Sequence, residues 1–400
     1  MNNLKITFVY PTDPLGAKIG GIETFIKGFI EHSPDDFDIE FVGVSSDGEK
    51  RPVRRWHNLK LKNKNLKVFY LFFEKDINRR KFIPLSLRFM FALAFSRLNL
   101  GGRTLIFNRV EPALLFKKTK AHKILFNHSD ITRQILKRES ETGWNRLPNL
   151  YFALEKYIFS YADYICTSSR RTLVYYLEHY PDKKDKLLYL SVWTDPYIFH
   201  PIDTDKADAK KGISKTDKAL PVDQKWILSV GRLQEVKAPF RLIDTFMEYC
   251  KKDTGVCLII IGGGNLKQDL LKYVAKNRLS DKVFFLKEMA QNDLANFYRA
   301  SDLLLITSNF EGGPRTLFEA LSSGLPVVST DVGEAGRIIR NNFSGEVVRD
   351  FCAQELASAV DKVLRNPSIY TRDKCISCIT EYTPEKILQP VYDIIRRLQG

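Results

Sequence analysis

Four charged side chains are spaced in this chain so that they can hold a ligand carrying both phosphate and hydroxyl groups. Glu311 and Glu319 have seven residues between them in 308–330, SNFEGGPRTLFEALSSGLPVVST. The turn Gly312-Gly313-Pro314 feeds a helical pattern over 315–322, with Leu317, Phe318 and Leu321 on one face. Such a turn leaves the first helical N–H groups unpaired, where the helix dipole favours an anion. Gly312, Gly313, Pro314, Arg315, Thr316 and Leu317 therefore form a candidate phosphate site. Earlier in the chain, Ser229-Val230-Gly231-Arg232-Leu233 is followed by Lys237. Arg presents a planar fork and Lys a point charge, and the two on one loop can neutralise a diphosphate. They can also stabilise the charge that grows on it as a bond to it breaks. Acids for hydroxyls beside cations for a diphosphate suit a nucleotide sugar.

Strands must bring these groups to one edge. Strand-like and helix-like segments alternate nearly throughout, which argues an α/β chain of two Rossmann-like domains facing across a cleft. In the first half, 4–11 reads as a strand, 12–21 as a loop ending in Gly20-Gly21, and 22–32 as an amphipathic helix. Further strands are expected over 39–44, 104–107, 123–127 and 164–167, the last after a helical run over 150–162. Over 202–224 the chain is charged, loses periodicity and contains Pro221, so it reads as a linker between domains 1–201 and 225–384. The second half restarts with a strand over 226–233. VCLIIIGGG over 256–264 ends in Gly262-Gly263-Gly264, and more strands are expected over 283–286, 300–307 and 326–330. Ligand at the carboxyl ends of that second set would place a nucleotide on the second domain.

The Glu-x7-Glu stretch with its Gly/Pro loop and following EALSSGLPVV resembles the retaining glycosyltransferases of GT-B fold, family four (glycosyl transferases group 1). Gly231-Arg232 with Lys237 matches that family's G-R-x4-K pattern in full. The resemblance implies that Glu311 contacts the donor sugar and Glu319 the ribose hydroxyls. His128, in FNHSD after a strand, stands where relatives carry a His near the sugar's C6 hydroxyl. The implied catalytic set is Glu311, Arg232, Lys237 and His128. The implied donor-binding set is Glu319, Gly20, Gly21, Gly262, Gly263, Gly312, Gly313, Pro314, Arg315, Thr316 and Leu317. Lys18 adds a cation to the first glycine loop. Gly20-Gly21 can equally be a plain turn, Gly262-Gly263-Gly264 can simply turn the chain, and Asp130 is either a helix N-cap or an orienter of His128. The family also implies that the last helix, 385–400, crosses back to the first domain.

The sequence departs from the family in two places. Lys287-Glu288 stands where relatives have Gly, and SVWTDPYIFHP over 191–201 lacks the usual Asn-Gly start while keeping Asp195, Phe199 and Pro201. Asp203-Thr204-Asp205 lies in the expected linker, so it is read as chance and not as a metal motif. No metal or cofactor is expected. The reaction implied moves a sugar from a nucleoside-diphosphate sugar to an acceptor hydroxyl, on a glycan or lipid-linked acceptor of bacterial surface polysaccharide synthesis. The rivals are an epimerase or phosphorylase of the same fold and a catalytically silent nucleotide-sugar-binding protein.

Charge is uneven. Residues 1–50 hold 4 Lys/Arg against 9 Asp/Glu, whereas 51–100 hold 13 against 2 and 101–150 hold 10 against 4. The basic block interleaves with Trp56 and with Phe69-Tyr70-Leu71-Phe72-Phe73, which favours an anionic membrane surface over nucleic acid as partner. Residues 84–95 are expected to be a core helix. The chain opens directly on a strand-like run, and it has no run of eighteen uncharged apolar residues. The six cysteines are scattered. A cytoplasmic enzyme, peripheral on the inner face of the plasma membrane, is the expectation.

Overall fold

The computed structural model describes residues 3–16, 20–76, 82–136, 143–216 and 220–400. Lys18 lies outside them, as do Arg79, Arg80 and Lys81 of the basic block. The chain forms two compact units, Met1–Ser191 with Pro384–Gly400, and Val192–Thr383.

The first unit is built on eight strands: β1 (Leu4–Val9), β2 (Phe37–Ser45), β3 (Trp56–Leu61), β4 (Lys64–Phe73), β5 (Thr104–Phe107), β6 (His122–Asn127), β7 (Tyr164–Thr167) and β8 (Leu187–Tyr189). Their order is β3-β4-β2-β1-β5-β6-β7-β8, parallel except for the β3–β4 hairpin at one edge. Its helices are α1 (Gly21–Glu31), α2 (Leu85–Ala94), α3 (Pro148–Phe159) and α4 (Arg170–His179). Side chains alternate across the sheet with period two. Phe8 rests edge-on against Phe29 of α1, its ring centroid 5.1 Å away. Val9 joins the core on the opposite face with Phe89 and Leu93 of α2, Ile158 of α3 and Tyr176 of α4.

The second unit holds β9 (Lys225–Val230), β10 (Val256–Ile261), β11 (Val283–Leu286), β12 (Leu303–Ile306), β13 (Val327–Thr330) and β14 (Gly345–Val348), all parallel, in the order β11-β10-β9-β12-β13-β14. VCLIII and LLLI are buried along their whole length, as central parallel strands covered on both faces must be. Helices α5 (Lys206–Thr216), α6 (Pro239–Cys250), α7 (Lys267–Lys276), α8 (Gln291–Ala300), α9 (Arg315–Ser322), α10 (Ala335–Ile338), α11 (Ala353–Arg365) and α12 (Arg372–Ser377) surround it.

The expected boundary and linker shift. Residues 192–201 run along the second unit, where Phe199 joins its core and Arg299 Nη2 donates to the Ile198 carbonyl over 2.6 Å. Most of 202–224 is not a linker. It carries α5, whose Lys210 is buried with Nζ 2.8 Å from Asp302 Oδ2 and 2.9 Å from the Gln224 carbonyl. A long Lys stem lying along apolar surface gives this helix an anchor that hydropathy does not register.

The last helix, α13 (Pro384–Gln399), packs in the first unit. Tyr392 meets Phe29 and Phe37 edge-on and donates to the Phe29 carbonyl at 3.1 Å. Arg396 grips Asp36 through two nitrogens, at 3.0 and 3.1 Å.

Candidate active site

In the second unit, sheet order reverses between β9 and β12, and the loops leaving those strands line a small pocket. The loop after β9 carries Arg232 and Lys237, and the loop after β12 carries Glu311. Backbone bonds stitch the two loops together. Asn309 N–H donates to Val236 O at 2.9 Å, and Thr307 Oγ1 lies 3.2 Å from Lys237 O. Ala238 is held at φ +46°, ψ +56°, a left-handed conformation rare for a residue with a Cβ, and it turns the chain into α6 at Pro239.

The result is a contact between two residues 74 positions apart. Lys237 Nζ lies 2.5 Å from Glu311 Oε1, and Ser308 Oγ donates to the same oxygen at 2.7 Å. Glu311 Oε2 has no partner among the described residues, and Lys237 keeps two of its three N–H groups. Arg232 is exposed, with no side-chain hydrogen bond or ion pair among the described residues. The small pocket here is lined by Gly231, Arg232, Lys237, Ser308, Glu311 and Thr316 among others.

Helix α9 begins beside them. Pro314 is its N-cap and supplies no side-chain cap. Leu317 N–H donates to the Pro314 carbonyl at 3.0 Å, so that expected anion donor is already used. The N–H groups of Gly312, Gly313, Arg315 and Thr316 have no such acceptor among the described residues. The Arg315 side chain turns away, donating to the Trp193 carbonyl at 3.0 Å with its guanidinium over the Trp193 ring. Glu319 is 5% exposed and accepts from Tyr298 Oη at 2.9 Å through Oε2. Burial pushes its carboxyl above the ordinary range, against the pull of Arg315 one turn earlier and the Tyr298 bond. Its Oε1 has no partner among the described residues.

Two glycines of the loop after β10 have a packing role. A Cβ on Gly262 would stand 2.1 Å from the Gly231 carbonyl oxygen, and one on Gly264 would stand 2.3 Å from that of Leu233. These glycines let the β10 loop close against the β9 loop, where Leu233 N–H donates to Gly263 O at 2.8 Å. Gly333, absent from the sequence reading, is at φ +54° with its backbone against Gly312 and Pro314, so it backs the Glu311 loop.

In the first unit, Gly20 caps α1, and a Cβ there would stand 2.4 Å from Glu23 Oε2; Gly21 opens the helix with free space around it. His128 follows β6, with Nε2 2.7 Å from Asn108 Oδ1 and its ring against Phe25 and Phe126. Asp130 does not orient it: Oδ1 takes Thr132 Oγ1 at 2.5 Å and Thr132 N–H at 3.2 Å, capping the next turn. A buried relay missed by the sequence reading supports the loop instead. Asn127, next to His128, accepts Ser129 N–H at 3.0 Å and donates to Tyr176 Oη at 2.7 Å. Tyr176 in turn donates to Glu155 Oε2 at 2.9 Å, and Tyr180 donates to Oε1 at 3.1 Å. Glu155 is wholly buried with no cation paired to it among the described residues, and desolvation pushes its carboxyl up to about 7 against the pull of the tyrosine bonds.

Comparison with known proteins adds the context. The family model described as Glycosyl transferases group 1 matches residues 211–380. The chain is 23% identical over 361 residues to an uncharacterized glycosyltransferase of Methanocaldococcus jannaschii, covering 88% of this chain and 87% of that protein. It is 29% identical over 217 residues to a D-inositol 3-phosphate glycosyltransferase of Nocardia farcinica, covering 52% of this chain but only 47% of that protein. Among solved structures, a sucrose-phosphate synthase of Thermosynechococcus elongatus superposes with TM-score 0.78 at 18% identity, over 99% of both chains. The Anabaena protein HepE, in complex with UDP and glucose, gives 0.72 at 17% identity, over 98% of this chain and all of its own. The chain has the GT-B fold, and residues 211–380, within its second unit, match the model of the glycosyl transferases group 1.

Proposed function

We propose that the chain is a retaining, metal-independent glycosyltransferase of family four that moves a sugar from a nucleoside-diphosphate donor to an acceptor hydroxyl. The observation that carries this is the shared oxygen of Glu311. Lys237 and Ser308 fix one carboxylate oxygen and leave the other for a sugar hydroxyl, beside an unpaired Arg232 and an uncapped helix start. Arg232 and the two remaining Lys237 donors neutralise the diphosphate as the bond to the anomeric carbon breaks. The acceptor hydroxyl attacks from the face the diphosphate leaves, and a phosphate oxygen takes its proton. Glu319 Oε1 is assigned to a ribose hydroxyl. Names among the relatives and neighbours support sugar transfer, and the HepE complex puts UDP conjugates first among donors to try. Surface polysaccharide or lipid-linked oligosaccharide synthesis is the proposed setting.

Thermal shift with UDP, GDP, ADP and CMP and their sugar conjugates identifies the donor, since a ligand at about 100 times its Kd adds roughly 2.7 kcal/mol. With that donor, Lys237→Ala and Glu311→Ala are each expected to lower transfer by about 10²-fold to 10³-fold while the melting temperature holds. Near-normal turnover in either variant overturns the assignment.

A further inference from the structure

The large apolar side chains that this protein leaves exposed are not scattered. Among the described residues, all but Tyr197, Leu271 and Ile369 belong to the first unit. Most of those sit on the elements that cover one face of its sheet. Helices α2, α3 and α4 and the 3-10 turn Glu111–Phe116 each send residues into one core against that face, so their opposite sides form one outer surface. That surface carries Leu87, Phe91 and Phe95 of the α2 region, 51, 64 and 81% exposed, with Leu115 of the 3-10 turn and Leu150 and Tyr157 of α3. The expectation of a core helix over 84–95 fails here: only Phe89 and Leu93 of α2 are buried. Leu87, Phe91 and Phe95 recur every fourth residue, which lays them along one side of the helix.

Cations border the same surface. Arg97, Lys118 and Lys156 are exposed, and Lys117 sits over the Tyr157 ring with Nζ 3.2 Å from its hydroxyl. Arg97, Lys117 and Lys118 belong to the stretch 51–150, in which basic residues far outnumber acidic ones. Aromatic and aliphatic tips among excess positive charge complement the headgroup layer of an anionic bilayer, where apolar groups reach the acyl boundary and Lys/Arg meet phosphate. No helix among the described residues is long and apolar enough to cross a membrane, so the contact would be a surface one. We propose that the outer surface of α2, the 3-10 turn and α3 docks on an anionic lipid bilayer, with Phe91 and Phe95 inserted at the interface. The proposal is independent of the transfer reaction, because its readout is binding alone.

The test floats the full chain with vesicles of phosphatidylcholine, with and without phosphatidylglycerol, at low and high salt. The chain is expected to float with the anionic vesicles and to be released as salt rises. The doubly substituted Phe91→Gln/Phe95→Gln protein is expected to keep its melting temperature, because neither side chain enters the core, and to bind about tenfold more weakly or worse. Leu271→Gln, in the second unit, is expected to bind as the parent does. Failure to float with anionic vesicles overturns the proposal. So does equal flotation of the doubly substituted protein, which would leave charge alone at work. A self-association that this protein abolishes, without vesicle binding by the parent, would assign the surface to a second copy of the chain instead.

Discussion

At the scale of single residues, the chemistry rests on side chains held by partners distant in sequence. Glu155 is the clearest case, because its proton is a property of the fold. Its carboxyl is raised from 4.5 to about 7 by burial among Tyr151, Tyr176 and Tyr180. Between those values the folded chain holds a proton that the unfolded chain has lost, so stability falls as pH rises, and above about 7 the loss is complete. The whole effect is about 3 kcal/mol. Glu155→Gln is expected to flatten that decline in thermal unfolding followed across this range; slopes equal to the parent's would show that Glu155 is ionised in the fold. Gly262 gives a second prediction. With φ at +144° and the Gly231 carbonyl where a Cβ would go, Gly262→Ala should destabilise the second unit by about 2–3 kcal/mol in denaturant melts. Gly263→Ala meets nothing nearer than 4.0 Å, from Glu288 Oε1, and should cost far less.

At the scale of elements, legibility depended on whether a segment is defined by its own residues or by its neighbours. β10 and β12 are continuous apolar runs, so their positions could be read directly, and the loops after β9 and β12 carry Arg232, Lys237 and Glu311, with Glu319 inside α9. The pairing of Lys237 with Glu311 was not readable, since it needs Ala238 in a left-handed turn and Ser308 as a second donor. The β3–β4 hairpin was hidden because its alternating Asn58-Leu59-Lys60-Leu61 and Leu66-Lys67-Val68 were counted as charge and not as a strand with period two. Helix α5 was hidden because its attachment depends on Lys210 reaching Asp302, an ion pair that hydropathy scores as solvated. Helix α2 misled in the other direction: apolar composition suggested burial, while the structure turns most of it outward.

At the scale of the whole molecule, the chain leaves its first unit at Ser191 and returns to it at Pro384. Helix α13 then buries Leu388, Val391, Tyr392, Ile394 and Ile395, each contributing about 2 kcal/mol against exposure. Their sum is comparable to the whole stability of an ordinary domain, about 5–15 kcal/mol. Deletion of 384–400 is therefore expected to unfold the first unit while β9–β14 keep their amide-exchange protection; uniform loss or retention across both units would contradict this. The bonds between Lys5 and Gln399 near the two termini also fix an order of events during synthesis. Residues 192–383 all precede α13 in the chain, so the second unit emerges ahead of it and can fold first. Until α13 has emerged, Phe29 and Phe37 lack the Tyr392 ring that covers them, and the earlier-made sheet is the later to close. A nascent chain stalled before α13 emerges would thus hold an unfinished first unit, with its apolar face open to chaperones.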